Sequence, residues 1–159
     1  MIDKTAIINK DAKVHSSVKV GPYTVIGPNV KIKSGTVIEG NAFIHKNTRI
    51  GKYNLIYPFA SVGGDPQDLK YKGENTFLEI GDHNEIREGS TINRGTVQEN
   101  GKTIIGNNNL LMAYTHVAHD CNIGNNVILA NNVPLGGHAE IEDNVITVSY
   151  THLTLPTKA

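Results

Sequence analysis

Every sixth residue from Ile8 is aliphatic for ten positions, the run continuing through Val14, Val20, Ile26, Ile32, Ile38, Ile44, Ile50, Ile56 and Val62. The phase returns at Ile80, Ile86 and Ile92, then resumes one residue later at Ile105, Leu111, Val117, Ile123, Leu129, Leu135 and Ile141. A short fixed period overrides residue-by-residue reading of secondary structure. Four residues after most of these aliphatics stands a small or β-branched residue, such as Ala12, Val18, Thr24, Ala60, Thr96, Cys121 and Ala139, and glycine often follows the aliphatic directly. Asn, Asp and Gly crowd the remaining slots, where corners need backbone conformations that these residues adopt at low cost. The pattern predicts short strands separated by tight corners, with the aliphatic pointing inward.

A hexapeptide repeat of this form resembles the left-handed parallel β-helix, an all-β solenoid in which three short strands make one triangular coil. Its handedness comes from the resemblance alone, because left-handed crossovers are rare in ordinary sheets. Three hexads make a coil, so residues 18 apart should stack at about 4.8 Å. Two segments break the period, roughly 64–79 and 97–104, the first containing GDPQDLKYKGENT and the second QENGK. Since Val62 and Ile80 lie 18 apart, the first is expected to replace one coil's regular faces without shifting phase; the second inserts one residue and shifts it. Loops thrown out from a rigid solenoid commonly carry function.

Composition fits thin layers better than an ordinary core. The 159 residues include 18 Ile, 13 Val, 18 Asn and 16 Gly but only 6 Tyr, 3 Phe and no Trp, so stacked aliphatics close the interior without rings. Fifteen basic residues balance fifteen acidic ones at a pI near 7.1, which gives no reason to invoke nucleic acid, although a local patch could still meet an acidic partner. No apolar run approaches a membrane span, and the start MIDKTAIINKDAKV offers no signal-peptide stretch, so a cytoplasmic protein without membrane insertion is expected. The lone Cys121 excludes an internal disulfide and falls in an inward slot, which marks it as a packed thiol and not a nucleophile.

Histidines supply the chemistry-bearing cluster, in THVAHDCNIG and GGHAEIED. With Val117 and Cys121 pointing inward, His119 and Asp120 fall at an outward corner, and both side chains are expected to face solvent. A carboxylate next to an imidazole fixes its tautomer and suits it to general-base work near neutral pH. Adding 18 to 119 reaches Gly137, and His138 then lies over Asp120. The next coil thus brings a backbone N–H and a third histidine beside His119, the parts needed for acyl transfer. A single surface histidine on a solenoid ordinarily has no role; the stacked register of His116, His119 and His138 is what points to a site. The spacing of His116 and His119 matches no zinc-binding loop, and GGD and NGK precede no helix that would make them phosphate loops.

The strings QDLKYKGE, TINRGT, NNLLMAY, HVAHDCNIG and ILANNV followed by GGH resemble the acyl-carrier-protein:UDP-N-acetylglucosamine O-acyltransferases that open lipid A biosynthesis. The resemblance covers residues 1 to about 146; AHD stands where the related N-acyltransferases read AHN. It implies transfer of a (3-hydroxy)acyl group from acyl carrier protein to the 3-hydroxyl of UDP-N-acetylglucosamine, with no metal or redox cofactor. Carried over residue by residue, His119 is the general base, Asp120 orients it, and the Gly137 N–H stabilises the oxyanion. Asp68, Lys70, His116 and His138 match substrate-contacting positions, and Asn93 stands where some relatives have histidine. The resemblance also implies a homotrimer with sites between subunits.

From Thr147 onward TVSYTHLTLPTKA shows no hexad, where the family continues with further coils, the residues that measure acyl length, and a helical domain. The expectation is a β-helix over 1–146, C-terminally truncated, with 147–159 a tail resembling translated library-adapter sequence; a natural cap is the alternative. Competing functional readings are an N-acyltransferase, a γ-type carbonic anhydrase using zinc-binding histidines across an interface, and an inactive solenoid fragment.

Overall fold

The computed structural model describes residues 1–148. Among the described residues twenty short strands pair in parallel into three sheets of seven, seven and six strands, which form the faces of a prism. The first face runs from Ile7–Ile8 through Val25–Ile26, Phe43–Ile44, Ser61–Gly64, Thr91–Asn93 and His116–Val117 to Pro134–Leu135. The second runs from Lys13–Val14 to Glu140–Ile141, and the third from Lys19–Val20 to Ile128–Leu129. In the regular coils each strand pairs with the third strand after it, as Ile8 with Ile26 and Val20 with Ile38, three hexads on. This is the all-β parallel β-helix expected from the hexads, left-handed as the resemblance implies.

All twenty periodic aliphatics belong to one core. Seventeen are buried, and Ile8, Val14 and Ile141, in the outermost coils, pack partly buried against it. Full burial of such a side chain contributes about 1.5–3 kcal/mol, so the repeated slot is the main stabilising element. Among the described residues no aromatic ring belongs to this core. Tyr23, Tyr53, Phe59 and Tyr114 instead sit exposed at corners in the left-handed region, alongside the expected Asn29, Asn41, Asn47, Asn108, Asn126, Asn132 and Asn144. The Tyr53 ring lies against Gly35, where a Cβ would come within 2.3 Å of it.

Three inward corner positions break the small-residue rule. Asn54, Asn84 and Asn109 are buried in a ladder: the backbone N–H of Asn84 donates to Asn54 Oδ1 at 2.8 Å, that of Asn109 to Asn84 Oδ1 at 2.9 Å, and that of Val127 to Asn109 Oδ1 at 2.7 Å. Their amide nitrogens donate to the carbonyls of Gly81, Gly106 and Gly124, so each buried amide is satisfied.

The first excursion differs from the expectation. Across it Ile50 pairs with Ile80, a register twelve positions longer than the three hexads of a regular coil. It replaces no face: Ser61–Gly64 on the first face is followed by Phe77–Ile80 on the second, and residues 65–76 bulge out between them. The spacing from Val62 to Ile80 is one hexad plus a twelve-residue insertion, which equals a coil in length only by coincidence. Across the second excursion Ile80 pairs with Ile105, a register seven positions longer than in a regular coil. It too leaves between the first and second faces, one rung further on.

At the far end, Ile146 bridges Ile128, and the Thr147 hydroxyl donates to the Ile128 carbonyl and accepts from the Ala130 N–H at 3.1 Å. The pairing therefore runs through residue 147; the rest of the expected tail, from 149, lies outside the described residues.

Candidate active site

Both excursions, the turn Ala118–His119–Asp120 and the turn Gly136–Gly137–His138 share the edge between the first and second faces. Strand pairing alone therefore collects the candidate residues along one line. Asp120 and His138 occupy left-handed corners at φ 61° and 65°. Aspartate and histidine are among the residues that adopt this conformation most readily after glycine and asparagine.

His119 Nδ1 lies 2.8 Å from Asp120 Oδ2. The carboxylate also accepts from the Thr96 N–H at 2.7 Å and the Thr96 hydroxyl at 2.6 Å, while the Asp120 N–H donates to Thr103 Oγ1. As the carboxylate accepts, Nδ1 carries the proton and the Nε2 lone pair is left for a substrate. The ring rests against Gly137: a Cβ there would lie 2.6 Å from His119 Cε1 and 2.7 Å from Nε2. The expected stacking of Gly137 over His119 is thus realised. His138 stands edge-on to His119 with ring centroids 5.1 Å apart, its Nδ1 3.4 Å from Glu99 and 3.9 Å from Asp120.

One expectation is corrected. His119 and Asp120 do not face solvent: their side chains are 13% and 1% exposed. In register alone the corner is bare, whereas Thr96, at the root of the second excursion, binds Asp120 and the next coil covers His119. Burial makes the pair more rigid than a surface pair and strengthens its hydrogen bonds.

His116 lies on the first face, half-buried, with Nδ1 2.7 Å from Thr91 Oγ1 on the preceding strand. Asp68 and Lys70 sit on the first excursion, two rungs from His119, where Asp68 Oδ1 accepts from the Lys70 N–H at 2.9 Å. The fold brings them to the same edge but not into the His119 cluster. Asn93 is buried on the first face beside Arg94. Sequence reading missed Thr96, Thr103 and Glu99 as partners of the cluster. The periodicity marks Thr96 only as an inward filler, and its partner Asp120 lies across the whole second excursion.

His119, Asp120 and His138 place one ligand atom each within 4.8 Å of one another, a spacing that admits a metal ion. Asp120 has already committed both oxygens to Thr96 and His119, so the arrangement as built is a hydrogen-bonded base and its orienter. Cys121 is buried, and burial pushes its thiol pKa up, as suits a packed side chain.

Burial also holds the imidazoles of His45 and His116 below the usual value of 6.5, with the Arg94 charge adding to the effect at His45. The unfolded chain therefore takes up protons first as pH falls, so the stability held above about 6.5 is lost until the folded imidazoles also protonate. Thermal melts should show Tm declining below about pH 6.5, and His45→Gln with His116→Gln should flatten that decline. An unchanged slope in the double variant would contradict the assignment.

The bacterial transferase hexapeptide family (six repeats) matches residues 11–46 and 102–133. An acyl-carrier-protein:UDP-N-acetylglucosamine O-acyltransferase of Thermodesulfovibrio yellowstonii is 50% identical over 142 residues, 89% of this chain and 55% of its own length. The enzyme of the same name from Stutzerimonas stutzeri is 54% identical over 151 residues, 95% of this chain and 58% of its own. The crystal structure of UDP-N-acetylglucosamine O-acyltransferase from Moraxella catarrhalis superposes with a TM-score of 0.89 at 53% identity, over 91% of this chain and 56% of that one. The chain thus spans somewhat more than half the length of these relatives. Repeat pattern, sequence and backbone agree: the chain is a hexapeptide-repeat solenoid similar to the acyl-carrier-protein:UDP-N-acetylglucosamine O-acyltransferases over somewhat more than half of their length.

Proposed function

We propose that this chain carries the catalytic edge of an enzyme that transfers an acyl group from acyl carrier protein to the 3-hydroxyl of UDP-N-acetylglucosamine, the step that opens lipid A synthesis. One observation carries the reading: a histidine whose Nδ1 is tied to a buried, triply hydrogen-bonded aspartate while its ring is seated on a glycine of the next coil. His119 Nε2 takes the proton of the sugar 3-hydroxyl as that oxygen attacks the thioester carbonyl. Asp120 holds the tautomer and supports the imidazolium that forms. Negative charge gathers on the former carbonyl oxygen, where the Gly137 N–H serves as donor. Collapse of the tetrahedral adduct breaks the carbon–sulfur bond, and the departing thiolate takes the proton back from His119.

His138 and His116 border the sugar, and Asp68 and Lys70 contact the sugar nucleotide from the first excursion. These two lie two rungs from the base, so the first excursion does not itself complete the His119 cluster. We propose that a neighbouring subunit of a homotrimer completes it and that the assembly works in the cytoplasm. No helix among the described residues is long and apolar enough to cross a membrane.

The test is transfer from a panel of acyl carrier protein thioesters to UDP-N-acetylglucosamine. It is run on the chain as it stands and on the same chain continued with the remaining sequence of the Stutzerimonas stutzeri relative. The expected product is the 3-O-acyl sugar nucleotide, formed at least by the continued chain. No transfer by that chain would overturn the reading, and stoichiometric zinc in the purified protein would favour a carbonic anhydrase instead.

A further inference from the structure

Arg94 heads the fully buried side chains by volume, and it is a cation in a solenoid whose interior is otherwise mostly aliphatic. It follows the strand Thr91–Asn93 at the root of the second excursion, yet the groups it holds belong to the first. Its backbone N–H donates to the Gly64 carbonyl at 2.9 Å, Nη1 to the Gly63 carbonyl, and Nη2 to the Asp65 carboxylate and to the Tyr71 hydroxyl, the last at 3.0 Å. Tyr71 in turn donates to the Glu74 carbonyl. The Nε atom is buried with no partner, so the guanidinium is not even fully satisfied in return for its burial.

A buried charge of this kind is expensive, and a hydrophobic residue of similar volume would often serve stability as well or better. The coils do not need it, because strand pairing and the aliphatic column already close them. The first excursion does. Residues 65–76 form no strand, and the hydrogen bonds from Lys70 N to Asp68, Tyr71 N to Asp68 and Lys72 N to Glu74 are local. Asn47 fastens the exit, through Asn75 and the Thr76 carbonyl. Arg94 fastens the entrance at Gly63 and Asp65 and the middle at Tyr71. Asp68 and Lys70 lie between those two anchors.

We infer that Arg94 is a positioning residue: it braces the first excursion so that Asp68 and Lys70 stand at the site edge for the sugar nucleotide. This rests on the proposed function, in which those two residues contact the acceptor. Two residues further on, Thr96 holds Asp120. The segment Asn93–Thr96 therefore serves acceptor placement through Arg94 and the base through Thr96. The two tasks should separate in kinetics, since acceptor placement governs binding and base orientation governs turnover.

The experiment compares Arg94→Lys, which keeps the charge but loses the planar fork, with Asp65→Asn and Tyr71→Phe. The last two alter only the loop side of the brace, at exposed Asp65 and half-buried Tyr71, and keep the proposal testable should the buried variant fail to fold. Thr96→Val is the comparator. Hydrogen exchange is read at the amides of residues 65–76, together with UDP-N-acetylglucosamine binding by each chain and KM and kcat in the transfer assay above. The three brace variants are expected to speed exchange across 68–72 and raise Kd and KM for the sugar nucleotide about tenfold, with kcat within about twofold. Thr96→Val should leave loop exchange and KM unmoved and lower kcat.

Unchanged exchange in the brace variants overturns the inference, as does a loosened excursion with unmoved Kd and KM. If the parent chain itself binds no UDP-N-acetylglucosamine, the functional reading fails instead. The exchange data then still decide for or against the brace.

Discussion

His119→Ala is expected to lower kcat for acyl transfer to UDP-N-acetylglucosamine by about 10²- to 10⁴-fold, the usual contribution of a positioned general base. The sugar 3-hydroxyl is a poor nucleophile until its proton is taken. His119 Nε2 is the lone pair left for that task, because Nδ1 is committed to Asp120. KM for the sugar nucleotide should change only a few-fold, since Asp68, Lys70, His116 and His138 remain in place. The fold should be indifferent as well: His119 lies at a corner outside the aliphatic core, so the melting temperature is expected to hold within a few degrees. Asp120→Asn should fall between the parent and His119→Ala, as an amide at that position can present its N–H to Nδ1 and favour the wrong tautomer. Steady-state kinetics on the folded variants decide the matter. Transfer by His119→Ala within about tenfold of the parent would assign proton removal to another group, with His138 the nearest.

The solenoid is legible in the sequence because each hexad carries its own instruction. Ile38 and Ile56 are buried for the same local reason, and reading one slot predicts the next. The line from His119 to Gly137 is legible for the same cause, since regular coils convert a separation of three hexads into contact. Legibility stops where the chain leaves the period. The twelve residues of the first excursion mimic the length of a missing hexad pair, so a count of phase alone could not tell insertion from replacement. The covering of Asp120 by Thr96 depends on how the second excursion folds, which no repeat specifies. Arg94 shows the same limit: nothing local in the string TINRGT marks it for burial, and only the earlier excursion, through Asp65 and Tyr71, explains it. The asparagine ladder of Asn54, Asn84 and Asn109 is likewise hidden, because asparagine in a corner is ordinarily read as a turn former, whereas here its amide satisfies the rungs from within.

Gly137→Ala should be nearly as damaging as loss of the base while leaving the protein folded, and the two halves of that statement have separate physical grounds. Gly137 does not occupy a positive φ, so alanine fits the backbone there without strain. The atoms a new methyl would meet are Cε1 and Nε2 of His119, at 2.6 and 2.7 Å, the outer end of a side chain that can rotate away. The clash is therefore relieved by moving the ring and not by opening the coil, and Tm should shift by no more than a few degrees. The ring cannot move freely and remain a base, however, because its Nδ1 is pinned at 2.8 Å from a carboxylate that Thr96 holds in one place. Relief of the clash means loss of that bond or displacement of Nε2 by about an ångström, and a misplacement of that size costs about 10²-fold in rate. The Gly137 N–H survives the substitution, so a loss of activity reports the seating of His119 and not the removal of an oxyanion donor. Imidazole NMR of the variant should show the hydrogen-bonded Nδ1 proton weakened or lost, alongside a kcat reduced by about 10²-fold and a KM close to the parent's. Full activity in Gly137→Ala, with the Nδ1 proton unshifted, would mean that the ring does not rest on Gly137 in solution, and the stacked edge would then no longer explain the chemistry.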